Sequence, residues 1–197
     1  DMTVDEVMCE LEKDRAFFDQ SGGGITFTGG EPLNQPEFLE SLIDSVNGAG
    51  LSIALDTSGF APAGLFRRIA GKVDVVLYDL KIIDETRHKE FTGVSNRLIL
   101  ENLRRLSGIK TEVWLRVPII PGATDDEENM GAIIDLACEM GHIKNVGLLP
   151  YHWGGMDKAV RLGNASSFKR FEALSDEKYE QIETAFREAG FEIRKGG

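Results

Sequence analysis

Val4, Val7, Met8, Leu11 and Phe18 fall on one face of a helix that opens at Thr3-Val4-Asp5-Glu6, a capping-box pattern. Cys9 falls roughly opposite that stripe. Gly22-Gly23-Gly24 breaks the helix, and Ile25-Thr26-Phe27-Thr28 reads as a strand. The period then switches repeatedly between helix and strand. An amphipathic helix over about 36–47 leads to a strand over 51–56, and a short helix over 63–70 leads to a strand over 73–78. Helical patterns over 85–91 and 97–106 precede a strand over 112–117. A helix over 125–140, a strand over 145–149 and a helix over 176–189 follow, with 191–194 as a short terminal strand.

Strands that alternate with helices form a mainly parallel sheet, because parallel neighbours need crossover connections. The run Val73, Val75, Val76, Leu77 is nearly continuous in apolar character, as in strands covered on both faces. A closed eight-unit barrel uses about 31 residues per βα unit. A chain of 197 residues therefore holds roughly six units. The expected fold is α/β, a partial (β/α)6 TIM-like barrel lacking its first strand, with residues 1–197 as a single domain. The helical start motivates the further expectation that a segment upstream of Asp1 carries that strand. Residues 152–171, rich in Gly, Ser and Asn, show neither period and read as a loop.

Charge narrows the partners. Asp and Glu number 33 against 22 Lys and Arg, a formal net charge of −11, which argues against a nucleic-acid backbone as principal ligand. No apolar run approaches the length of a membrane span, and no secretory leader pattern opens the chain. The expected setting is cytoplasmic, with no membrane partner. The two cysteines, Cys9 and Cys138, lie far apart and exclude a disulfide framework or an all-cysteine metal site within these residues.

In parallel α/β folds the reactive groups sit at the C-terminal ends of strands. The first strand is followed by Gly29-Gly30-Glu31-Pro32 and the second ends in Asp56-Thr57-Ser58-Gly59. The third ends in Asp79-Leu80-Lys81, the fourth carries Arg116 before Pro118, and the fifth ends in Pro150-Tyr151-His152. Two glycines let a backbone approach a ligand closely, and Glu31 beside them can accept from an ammonium group. Asp56 and Asp79 terminate neighbouring strands and can share a hard cation with backbone carbonyls. Lys81 and Arg116 offer positive charge to a carboxylate, and His152 can donate to or stack on a heterocycle. The set suits a zwitterionic small molecule with an aromatic part.

Plainer roles compete. Gly-Gly-Glu-Pro and Asp56-Thr57-Ser58-Gly59 also suit tight turns, and Asp79 with Lys81 suits a surface ion pair. His152 also suits a turn cap. His88 and His142 read as solvated, Cys138 as packing at the edge of an apolar stripe. The run Asp125-Asp126-Glu127-Glu128 reads as a helix N-terminus.

The segments Gly23 to Pro32, Leu55 to Phe60, Tyr78 to Lys81, Trp114 to Pro118 and Leu148 to His152 resemble, in order, the radical S-adenosylmethionine activating enzymes of glycyl radical enzymes. Gly93-Val94-Ser95-Asn96 and Pro121 to Asp125 fit as well. The resemblance implies that Gly29, Gly30 and Glu31 hold the methionyl amino group of S-adenosylmethionine. Asp79, Lys81 and Arg116 would lie around its carboxylate and ribose, with His152 as a further contact. It also implies a monovalent cation, sodium or potassium, held by Asp56 and Asp79 with backbone oxygens near Thr57 and Leu77. The implied reaction cleaves S-adenosylmethionine reductively and removes a hydrogen atom from a glycine of the partner, a formate acetyltransferase-like glycyl radical enzyme. Flavodoxin or ferredoxin would donate the electron.

That family holds a [4Fe-4S] cluster on a Cys-x-x-x-Cys-x-x-Cys motif after the first strand. The motif is missing here, so the cluster is expected in an intact, longer protein only, and this chain alone is expected to be inactive. Two other classes remain open. One is a non-catalytic, degenerate barrel that binds a ligand or partner. The other is a Schiff-base lyase using Lys81, which Asp56 and Asp79 would oppose by keeping the lysine protonated.

Overall fold

A computed structural model describes residues 2–151 and 173–194. The elements run α1 (Val4–Lys13), α2 (Arg15–Ser21), β1 (Gly24–Phe27), a 3-10 turn (Pro32–Asn34), α3 (Pro36–Gly48), β2 (Ser52–Thr57), α4 (Ala63–Ala70) and β3 (Val75–Asp79). They continue with α5 (Glu85–Thr92), α6 (Arg97–Arg105), β4 (Glu112–Ile119), α7 (Glu127–Met140), β5 (Asn145–Pro150), α8 (Asp176–Glu188) and β6 (Glu192–Arg194). The six strands form one sheet in sequence order, β1 to β6. The pairings β1–β2, β2–β3 and β5–β6 are parallel. This is the α/β class and the six-strand order expected from the alternation. The segment expected as a loop over 152–171 and His152 itself lie outside the described residues.

The chain divides into two compact units. The first runs to Asp79 and takes in Asn96–Trp114; the second holds Leu80–Ser95 and the chain from Leu115 onward. In the first, Ile53 and Leu55 of β2 and Val76 and Tyr78 of β3 are buried on one face, together with Ile43 and Val46 of α3, Phe66 and Ile69 of α4, and Leu103 of α6. The Phe66 ring meets Tyr78 edge-on at 5.8 Å between centroids, a favourable aromatic geometry. In the second, the core contains Leu115, Val117 and Ile119 of β4, Ile133 and Ala137 of α7, Val146 and Leu148 of β5, and Phe186 of α8.

Four details depart from expectation. The N-terminal helix is two helices, because Asp14 leaves helical geometry at φ −97°, ψ 6° and neither half buries a residue. Continuous burial holds over 145–148 of β5, whereas β2, β3 and β4 alternate between buried positions and half-buried or, at Ser52 and Glu112, exposed ones. The half-buried positions include Asp56, Asp79 and Arg116, whereas the buried positions of these strands are apolar apart from Thr57 and the Tyr78 hydroxyl. His88, expected in solvent, is 4% exposed, its Nδ1 2.8 Å from the Val94 carbonyl and 3.0 Å from Thr92 Oγ1. Cys138, expected in packing, is exposed.

Candidate functional site

In the first unit, the turn after β1 is Gly29-Gly30-Glu31. Gly29 has φ +143°, a value that disfavours any side chain, and a Cβ at either glycine would meet no atom within 4 Å. The backbone of this turn is therefore exposed with open space beside it. Glu31 behaves differently. Its carboxylate caps the 3-10 turn through Leu33 N–H at 3.3 Å and accepts from the Thr57 hydroxyl at 2.6 Å. The second oxygen accepts from the Ser58 amide at 3.0 Å and from the Ser58 hydroxyl. Four donors fill the acceptor capacity of a carboxylate. Glu31 thus ties the glycine turn to the end of β2.

The end of β2 is fixed from a second direction. Asn102, fully buried on α6, donates to the carbonyls of Gly59 and Ala61 at 2.7 Å each. The Tyr78 hydroxyl donates to the Ile99 carbonyl at 2.6 Å. Burial, with the Glu31 charge as a lesser cause, pushes the Tyr78 hydroxyl far above its ordinary range, so it remains a neutral donor.

Asp56 is opposite Leu77 in the β2–β3 register. Asp79 is two residues beyond Leu77, so the two carboxylates share one face of neighbouring strands, and both are half-buried. Thr28 donates to Asp56 at 3.0 Å. Carboxylates on one strand-end face are oxygen donors of the kind a hard cation takes.

In the second unit, Lys81 follows β3 and is half-buried. The amide of Leu80 donates to the Arg116 carbonyl at 2.9 Å. Arg116 is half-buried on β4, between the fully buried Leu115 and Val117. Asn129, 3% exposed in the first turn of α7, donates to the Lys81 and Thr124 carbonyls and accepts from the Ile83 amide. Asp126 caps α7 and pairs with Arg87, which also donates to the Ala123 carbonyl. The guanidinium holds the Asp126 carboxyl below the usual aspartate range. The acidic run is a helix N-terminus, as expected from sequence.

Taken separately, the exposed glycine backbone and carboxylate pair of the first unit offer acceptors for an ammonium group, and Lys81 and Arg116 of the second offer charge for a carboxylate. They do not suit an iron–sulfur cluster. Among the described residues no group of three or more His, Cys, Asp or Glu side chains is placed to hold a metal. Cys9 and Cys138, the chain's two cysteines, are both exposed, one on α1 and one on α7.

Sequence reasoning missed Asn102, Asn129 and the Thr57–Ser58 grip on Glu31. The two asparagines had one signal, a polar residue next to apolar positions such as Ile99, Leu103 and Met130 on the buried stripe of its helix.

The Radical SAM superfamily model matches residues 1–132. The trans-4-hydroxy-L-proline dehydratase activating enzyme of Clostridioides difficile is 36% identical over 99% of this chain and 65% of its own length. The pyruvate formate-lyase-activating enzyme of Clostridium pasteurianum is 34% identical over 95% of this chain and 79% of its own length. A crystal structure of a domain of pyruvate-formate lyase-activating enzyme from Bacteroides vulgatus superposes with a TM-score of 0.74 at 31% identity, covering 89% of this chain and 99% of that one. The chain belongs to the radical SAM superfamily, among the activating enzymes of glycyl radical enzymes. It spans just under two thirds of the length of the hydroxyproline dehydratase relative. Superfamily membership implies S-adenosylmethionine and a [4Fe-4S] cluster as cofactors. The relatives do not favour a degenerate binding module or a Schiff-base lyase. No helix among the described residues is long and apolar enough to cross a membrane.

Proposed function

We propose that this chain is the S-adenosylmethionine-binding part of an activating enzyme for a glycyl radical enzyme of the pyruvate formate-lyase type. The backbone of Gly29 and Gly30 meets the methionyl amino group, with the Glu31 charge behind it. The family resemblance assigns Asp79, Lys81 and Arg116 to the carboxylate and ribose, and names His152, outside the described residues, as a further contact. Asp56, Thr57, Leu77 and Asp79 hold a monovalent cation beside the carboxylate. In the whole enzyme the cofactors supply the radical chemistry, an electron coming from flavodoxin or ferredoxin and a hydrogen atom leaving a glycine of the partner. The residues of this chain bind and orient. A chain with two cysteines does not supply three thiolates, so by itself it is inactive.

The observation that carries this reading is the open Gly29-Gly30 backbone beside a carboxylate whose acceptors are already filled. Such a turn is rigid and leaves its main chain for a ligand. Calorimetric titration of the chain with S-adenosylmethionine tests it. Binding that strengthens with potassium or sodium and falls by roughly tenfold or more in Asp79→Ala is expected, the scale seen when a ligand's supporting group is removed. Absence of binding, or binding indifferent to Asp79→Ala, overturns it.

A further inference from the structure

Lys81 is a candidate cofactor contact whose main chain is gripped by a buried side chain from another element. The Asn129 amide uses both donors and its carbonyl oxygen: Oδ1 accepts from Ile83 N–H at 3.0 Å, and Nδ2 donates to the Lys81 carbonyl at 2.9 Å and the Thr124 carbonyl at 3.0 Å. One amide orientation satisfies all three partners, because the carbonyl must face the amide and the NH2 both carbonyls. The Leu80 amide, on the other side of Lys81, is held by the Arg116 carbonyl, and Ile82 is 1% exposed. The turn 80–83 is therefore pinned before and after Lys81.

Asn129 is itself anchored. Its backbone N–H donates to the Asp126 cap at 3.0 Å, and Asp126 is held by Arg87. No smaller or apolar residue reproduces the grip. Alanine removes all three bonds, and aspartate at neutral pH sets an acceptor against two carbonyls.

We propose that Asn129 is the positioning residue of the cofactor site, fixing the direction in which Lys81 leaves the β3 end, and that its loss weakens S-adenosylmethionine binding through Lys81. The inference rests on the reading of Lys81 as a cofactor contact.

A double-mutant cycle read by calorimetric titration with S-adenosylmethionine separates the two claims. Lys81→Ala and Asn129→Ala should each weaken binding by roughly tenfold. The double variant should bind within about twofold of Lys81→Ala alone, because the asparagine then has no side chain left to aim. If Lys81→Ala binds like the unaltered chain, the reading of Lys81 fails and the inference falls with it. If Lys81→Ala weakens binding while Asn129→Ala does not, or if the two losses multiply, the positioning role alone is overturned.

Amide hydrogen exchange on the unaltered chain covers the case in which the Asn129 variant does not fold. Saturating S-adenosylmethionine should slow exchange of the Ile83 amide, the donor to Asn129, and unchanged exchange there overturns the proposal.

Discussion

Gly59 sits at φ +71°, and a Cβ built on it would lie 2.0 Å from the Tyr78 hydroxyl oxygen. Two penalties therefore add for any side chain: a left-handed backbone and a collision with a ring locked by its bond to Ile99. Gly59→Ala should destabilise the chain by roughly 2–4 kcal/mol, summing strain and overpacking. Urea unfolding would show it as a shifted midpoint with little change in slope. A midpoint within error of the unaltered chain would contradict the close approach. Asn102 belongs to the same corner, and Asn102→Leu would take the asparagine donor from the Ala61 carbonyl at about 1–3 kcal/mol, while the Gly59 carbonyl keeps its bond from the Ala61 amide. Neither penalty is visible in sequence. Asp56-Thr57-Ser58-Gly59 announces a turn through composition alone, but the neighbour that forbids a side chain at Gly59 is nineteen positions away. Glu31 shows the same limit. Its residue type and its place after two glycines suggest an acceptor for a ligand, whereas its acceptors are taken by Thr57 and Ser58, partners that only the tertiary pairing of β1 with β2 brings near.

Elements were far more legible than contacts, because their signal is periodic. A helix or strand repeats its buried position every 3.6 or 2 residues, and the switch between those periods along 25–149 places β1 to β5 and α3 to α7 within a few residues of the structure. The break at Asp14 escaped because a helix interrupted for one residue barely disturbs the phase of its apolar stripe. Strand coverage was misjudged for a related reason: Ala54, Leu77 and Trp114 are apolar at half-buried positions, so alternation in burial is not alternation in hydropathy. At helix ends the signal is chemical. The cap of α7 makes a pH prediction, since the Arg87 guanidinium lowers the Asp126 carboxyl in the folded chain. A depressed folded value adds stability that is complete above the unfolded aspartate pKa, about 3.9, and is lost as pH falls through the lower folded value. Both side chains are partly exposed, 33% and 40%, which limits the pair to about 1 kcal/mol or less. The stability gap between the unaltered chain and Arg87→Gln should therefore be open at pH 7 and close progressively below pH 4. A gap that persists unchanged to pH 2.5 would assign the loss to the Ala123 bond rather than to the ion pair.

At the scale of the whole molecule the two cofactor demands of the superfamily separate cleanly, and they do so for a physical reason. Recognition of a zwitterion needs backbone polar groups and opposite charges, which the proposed site would draw from dispersed strand ends of the 197-residue chain. A [4Fe-4S] cluster needs thiolates converging within a few ångströms, and the cysteine count is two. The proposed ligand binding and cluster binding are each open to their own measurement. Anaerobic reconstitution of this chain with iron and sulfide should give well below one four-iron cluster per chain, with no gain of S-adenosylmethionine affinity over the unreconstituted chain. Replacing Cys9 and Cys138 with serine should leave both numbers unchanged. A stoichiometric cluster that these replacements abolish would place the redox chemistry inside these residues and would require a ligand set that neither α1 nor α7 suggests.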